Sequence, residues 1–208
     1  MSEAVALSQR LRAETKALHT QAERSGVMAQ LLRGRASLPS YLALLVALET
    51  IYLALEGGLA QHGADPTLGL LIVPGFARAT ALQADIRAIE AMGLERPTPA
   101  PEALHYAAHL NELAQHDAPR LLAHAWLRYL GDLNGGQIIG RIVRESLALP
   151  LGATHFYEFP DLTDPMAAAG AWRVALDDAP LDSRARDAIV AEAAEGFRRH
   201  IALFESLG

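Results

Sequence analysis

The sequence predicts an all-α fold of about seven or eight helices, packed as an irregular globular bundle rather than a symmetric four-helix one. Apolar residues recur at three- and four-residue spacing along most of the chain, the alternation that marks strands is nearly absent, and Pro and Gly gather only at short breaks between the periodic segments. With 208 residues, no internal repeat and no Ser/Gly linker, residues 1–208 read as one domain. A chain of this length buries roughly 70% of its unfolded surface and needs no disulfide scaffold.

The first helix is predicted from about Ser8 to Arg24, with Leu7, Leu11, Leu18 and Ala22 as its apolar stripe and Ser25-Gly26 as its stop. A short helical turn follows over Val27–Leu32. Ser37 is a candidate cap for a long helix reaching roughly His62, whose Tyr41–Leu55 stretch is apolar on most faces and therefore central. Phe76–Met92 and Glu102–Gln115 give two more helices. Ala118–Leu149, with Asp117 as cap and Pro119 in the first turn, gives a sixth that is interrupted. Asp164-Pro165 opens a helix to about Leu176. Asp182 or Ser183 opens the last, with Ile189, Ala193, Phe197, Ile201 and Phe204 on one face.

Composition excludes several functions. Eighteen basic residues against 24 acidic ones give a net charge of −6, with no basic block to follow a phosphate backbone, so nucleic acid is not an expected partner. The longest apolar run, Tyr41–Leu48, is too short to span a bilayer, and Met1–Arg10 lacks the features of a secretory leader, so a cytoplasmic location is expected. The absence of cysteine removes thiolate metal sites, Fe–S clusters and cysteine nucleophiles; a metal must use His or carboxylate. No Gly-x-Ser-x-Gly elbow is present.

Two segments carry candidate chemistry. In the interrupted helix, Arg128-Tyr-Leu-Gly131-Asp132-Leu-Asn-Gly135-Gly136-Gln137 puts three glycines within six residues. Each costs roughly 0.5–1 kcal/mol relative to Ala inside a helix, so the cluster marks a kink or a close backbone approach. Gly131 and Gly135 share a face, where a flat ligand could lie; a plain turn or a small-residue groove for another helix reads equally from the pattern. It is not a phosphate loop, because the Gly-Lys-Ser/Thr ending is missing. On the first helix, Arg12, Lys16, His19 and Glu23 share a face at spacings of four, three and four. A neutral imidazole with a carboxylate one turn away to fix its tautomer suits an axial ligand of haem iron; a solvated face of i,i+4 charge pairs fits the same spacing. Glu102, His105, His109 and Glu112 include one Glu-x-x-His element where a di-iron bundle needs two, so this cluster reads as an exposed polar face. His124 and His200, beside apolar positions, read as core or pocket-rim histidines.

Leu11-Arg-Ala-Glu-Thr-Lys-Ala-Leu-His19-Thr-Gln-Ala-Glu23 and Tyr129-Leu-Gly-Asp132-Leu-Asn-Gly-Gly136-Gln137 together resemble the two signature segments of the haem oxygenases. The resemblance continues through His124-Ala-Trp-Leu-Arg128, Ile51–Glu56, Phe159-Pro160, Trp172-Arg173 and Phe197–Leu207, and so covers nearly the whole chain in order. It implies an all-α globule that holds haem as cofactor and substrate between the first helix and a Gly-kinked distal helix. The implied reaction opens haem to biliverdin, with the IXα isomer favoured, and releases CO and Fe(II). It uses O2 and electrons from a ferredoxin or an NADPH-dependent reductase, and a bilin-binding photoreceptor is one recipient of the product. The chain stops at Leu207-Gly208, without the membrane-anchoring tail of the mammalian enzymes, which implies a soluble bacterial type.

Residue by residue, the resemblance makes His19 the proximal iron ligand and Glu23 its partner. Asp132 becomes the distal carboxylate that orders waters, with Tyr52 and Arg128 in the surrounding polar network and Gly131 and Gly135 leaving the water room. Trp126, Tyr129, Gly136 and Phe197 join the haem-binding set, and Lys16, Arg173 and Arg12 anchor the propionates. The sequence departs from the family at four positions. Trp126 stands where mammalian relatives have a haem-facing tyrosine, Ala169 where they have a propionate-side lysine, His200 where some have a network asparagine, and Asn134 where serine is commoner. A haem carrier or sensor on the same fold, and haem-free relatives of the thiaminase or di-metal kind, are the alternatives. Asp132 with its intact glycines argues against the first, and the absent cysteine and single Glu-x-x-His element argue against the second.

Overall fold

The computed structural model describes residues 5–150 and 152–208; the first four residues of the Met1–Arg10 segment lie outside it. Among the described residues the chain forms helices and no strand: α1 (Leu7–Glu23), α2 (Gly26–Leu32), α3 (Leu38–Gln61), α4 (Ala79–Glu90), α5 (Pro101–His116), α6 (Leu121–Ala125), α7 (Gly131–Leu147), α8 (Pro165–Asp178) and α9 (Ser183–Ser206). A π-helical turn, Trp126–Leu130, joins α6 to α7, so the two form one interrupted helix and the expected eight are present.

The long α3 is the core. It buries Tyr41, Leu44, Leu45, Ile51, Tyr52 and Leu55 on several faces and packs against α4 and α5. Each such side chain contributes roughly 1.5–3 kcal/mol by leaving water. By length and hydropathy α3 could cross a bilayer, but 67% of its most apolar window is buried inside the protein, which accounts for that composition. Gly58 does not loosen the helix; a Cβ there would meet Ala114 at 3.1 Å, so it sets the approach of α3 to α5. On the other side, α1 packs on α9 and α8, and α2 reaches α7 and α9. One hydrophobic cluster runs from Leu7 to Phe204.

Caps follow the sequence in three places. The Ser37 side chain accepts from Ser40 N at 3.2 Å, Asp164 from Met166 and Ala167 N, and Asp182 from Ala185 N at 2.7 Å. Asp117 makes no capping bond and faces Arg120 instead. The helix expected from Phe76 begins at Ala79, because its first amides are taken by a residue remote in sequence: Glu56 of α3 accepts from Arg78 N at 2.5 Å and Ala79 N at 3.1 Å. Phe76 itself is buried in the core.

Candidate active site

Between α1 and α7 lies a cavity of about 860 Å3, including its open mouth. His19 and Glu23 of α1 form one wall; Gly131, Asp132, Gly135 and Ile139 of α7 form the opposite one. Apolar side chains from α2, α3 and α9, among them Leu31, Leu44, Phe197 and Phe204, close the sides. Such a mostly apolar slot with a few convergent polar groups is the usual form of a small-molecule site.

The break in the distal helix begins before the glycines. The π turn Trp126–Leu130 adds a residue to the helical repeat, and Gly131–Gly136 then run in regular α-helix. The glycines are smooth wall rather than hinge. A Cβ at Gly131 or Gly135 would meet nothing within 4 Å, so both present bare backbone to open space. Gly136 and Gly140 face the other way. A Cβ at Gly140 would meet Tyr157 Cβ at 2.9 Å, so that pair lets Tyr157 lie against the helix.

The π turn also aims Arg128. Its Nη2 donates to Asp132 Oδ1 at 2.9 Å, its Nε to Tyr52 Oη at 3.3 Å and its Nη1 to His200 Nε2 at 3.3 Å, while the Tyr52 hydroxyl donates to Asp132 Oδ2. His200 Nδ1 donates to Gly196 O at 2.8 Å, leaving Nε2 as the acceptor, and burial holds its pKa well below the ordinary value, so the ring is neutral. Burial raises Tyr52 and keeps its proton. Burial also raises the Asp132 carboxyl, against the opposing pull of Arg128 and the Tyr52 hydroxyl. Burial alone would lower Arg128, but Asp132 and Tyr52 outweigh it and the guanidinium is held charged. Asp132 is thus a buried carboxyl with both oxygens occupied, placed where it borders the cavity.

On the proximal wall the geometry is looser. The His19 side chain is 57% exposed, its Nδ1 lies 3.8 Å from Glu23 Oε1, and its ring meets Phe197 edge-on at 5.7 Å. At that separation no direct hydrogen bond forms.

The other expected site residues are distributed unevenly. Trp126 is half-buried and edge-on to Phe197, outside the cavity lining. Tyr129 is turned into the core between Phe76 and Tyr52, because it occupies the opposite side of the π turn from Arg128. Gly136 backs onto Tyr157. Tyr52 stands behind Asp132 rather than in the cavity. Arg12 and Lys16 are exposed on α1, and Arg173 is half-buried on α8; among the described residues none of the three makes an ion pair.

Three features were not visible in the sequence. Phe156 and Tyr157 reach the cavity from a 3-10 turn in what reads as loop. Asp85 of α4 anchors that turn: its two oxygens accept from His155 N and Phe156 N, each at 2.8 Å. Burial pushes the Asp85 carboxyl up to about 6, with the two amides pulling the other way. His109, expected on an exposed face, donates from Nε2 to the buried Glu192 at 2.7 Å, whereas His105 and Glu112 are exposed as expected. Only a helical-spacing match between α5 and α9 could have suggested that pair.

A family model described as Heme oxygenase matches residues 5–206. Heme oxygenase 1 of Synechocystis is 32% identical over 204 residues, covering 98% of this chain and 85% of that protein. The heme oxygenase of Takifugu rubripes is 31% identical, covering 97% and 74%. The crystal structure of the Synechocystis heme oxygenase-1 in complex with heme superimposes with a TM-score of 0.92 over 98% of this chain and 92% of that one. The solved structure of heme oxygenase from Leptospira interrogans gives a TM-score of 0.91 at 28% identity, over 97% of this chain and 100% of that one. The chain belongs to the haem oxygenase family.

Proposed function

We propose that this cavity binds haem between α1 and α7 and that the chain opens it to biliverdin, releasing CO and Fe(II). The observation that carries the reading is the opposition of His19 to a bare glycine wall bordered by Asp132. The residues fit the group: an accessible imidazole on one side, backbone without side chains on the other, and apolar walls between. When bound, haem is the substrate and supplies the iron at which O2 reacts.

The chain's own residues do the rest. His19 would hold the iron through Nε2, with Glu23 one turn away on the Nδ1 side to orient the ring. Gly131 and Gly135 leave room above the macrocycle for water, and the apolar side walls exclude it elsewhere. Asp132 holds that water and passes a proton through it; Tyr52 and Arg128 fix the carboxylate from behind, and the neutral His200 fixes Arg128. Lys16 and Arg12, one and two turns before His19, and Arg173 on the adjoining α8 are the cations for the two propionates. Their pairing with the propionates would set how the macrocycle is turned and so favour the α meso position. Electrons would come from a ferredoxin or an NADPH-dependent reductase, and the reaction would serve iron supply, bilin supply to a bilin-binding photoreceptor, or both.

Titration of the purified chain with hemin tests this. The expected result is a Soret band saturating at one haem per chain, replaced by the broad red band of biliverdin when ascorbate is added in air with catalase and an iron chelator present. A Soret band that survives the reductant and O2 would overturn the enzymatic reading.

A further inference from the structure

Behind the distal wall lies a second cluster of chemistry-bearing side chains that the haem site does not use. Glu192 of α9 is fully buried, and its Oε1 accepts from His109 Nε2 at 2.7 Å and His124 Nε2 at 2.8 Å. These three atoms lie within 4.8 Å of one another. We propose that His109, His124 and Glu192 form a binding site for a divalent first-row transition-metal ion.

The donor set decides the class of ion. Two imidazole nitrogens and one carboxylate oxygen favour Zn2+, Co2+ or Fe2+ over Mg2+ or Ca2+, which prefer oxygen alone. Metal–ligand bonds of about 2.0–2.2 Å put neighbouring ligand atoms about 3.0–3.5 Å apart. The present separations are a few tenths of an ångström shorter, so a slight withdrawal of the Glu192 carboxylate opens the site.

The groups that would orient these ligands are already in place. Tyr106 Oη lies 2.7 Å from His124 Nδ1, so that nitrogen can carry the proton and donate to the phenol oxygen when Nε2 binds metal. Arg120 bonds the other carboxylate oxygen, Oε2, which leaves Oε1 for the cation. The same guanidinium repels a metal ion and keeps its affinity modest, which suits passage rather than storage. His109, with its side chain 18% exposed, gives the cluster its opening to solvent.

Position connects the cluster to the cavity. The Tyr106 ring meets His200 edge-on at 5.1 Å, and His200 lines the haem cavity, so one layer of side chains separates the two sites. Fe(II), the ion released by the reaction proposed above, belongs to the class this donor set takes. That link rests on the proposed function; the metal site itself does not.

The test is calorimetric titration of the hemin complex with zinc chloride, followed by diffraction at the zinc edge. Using the complex keeps His19 engaged and removes the exposed His19–Glu23 pair as a competitor. One zinc per chain, with an anomalous peak between His109, His124 and Glu192, is the expected result. His109→Gln, whose side-chain amide can still donate to Glu192, and His109→Ala, which also removes that hydrogen bond and so lowers the melting temperature, should each weaken zinc binding by more than about tenfold. No saturable zinc uptake, a peak elsewhere such as at His105 or His116, or uptake unaffected by His109→Ala would overturn the proposal. Failure to bind hemin would overturn the proposed function, and the zinc titration of the haem-free chain would still decide the metal site.

Discussion

The two walls of the cavity are built to opposite standards. On the distal wall every polar atom is fixed by another: Asp132 by Arg128 and Tyr52, Arg128 by His200, and His200 by a backbone carbonyl. On the proximal wall His19 is more than half exposed and lies 3.8 Å from its partner. On the proposed function, the difference follows from what each wall would have to do. A coordination bond to iron supplies its own energy and orients the ligand as it forms, so His19 needs little prior order. Proton delivery has no such bond, and an organised carboxylate is effective only where the protein holds it before the reaction begins.

Substitutions can break this contrast, beginning with the largest effect. His19→Ala should abolish turnover and alter the hemin absorption band, while denaturant unfolding of the haem-free chain stays within about 0.5 kcal/mol, as for other surface changes. A large loss of stability would show that the proximal wall is also a structural element. Arg128→Met should cost about 3–5 kcal/mol in urea unfolding, because it leaves Asp132 buried without its cation. A neutral effect would mean that the distal network is not held together by this pair.

Asp85 sharpens the account through pH. Its folded value of about 6 lies above the ordinary 3.8, so the folded chain takes up the proton first as pH falls. The Asp85 contribution to stability is therefore fully present below about pH 4 and is lost as pH rises through about 6, by at most roughly 3 kcal/mol. Melting temperatures from pH 4 to 7 should carry that slope in the parent chain and lack it in Asp85→Asn. The same slope in both would dismiss Asp85 as its source.

The glycines give the smallest effects and the clearest pair. Gly140→Ala drives a Cβ into Tyr157 and should cost about 1–3 kcal/mol. Gly135→Ala meets nothing and should stabilise the helix by about 0.5–1 kcal/mol, while lowering biliverdin formation by filling space meant for water. Equal effects of the two changes on stability would contradict the assignment of the glycines to two faces.

Local signals in the sequence made much of this legible. Ser37, Asp164 and Asp182 announce helix starts through short-range capping, and the spacing of His19 and Glu23 places both on one face of α1. Glu56 capping α4 and Asp85 anchoring the 155–157 turn could not be read, because each bond joins residues brought together only by tertiary packing. The three glycines read as a kink or a close backbone approach; the irregularity is the π turn before them, whose residues carry no glycine, and Gly131 and Gly135 present bare backbone to the cavity. The resemblance puts Tyr129 on the haem side, and the extra residue of the π turn directs it into the core instead.

The most direct test of the contrast between the walls is to measure haem affinity and biliverdin yield on the same sample of Asp132→Ala. The account predicts a Soret band that still saturates at one haem per chain, because His19 is untouched, and biliverdin formation reduced by about 10²–10⁴-fold. A normal biliverdin yield from that variant would contradict it.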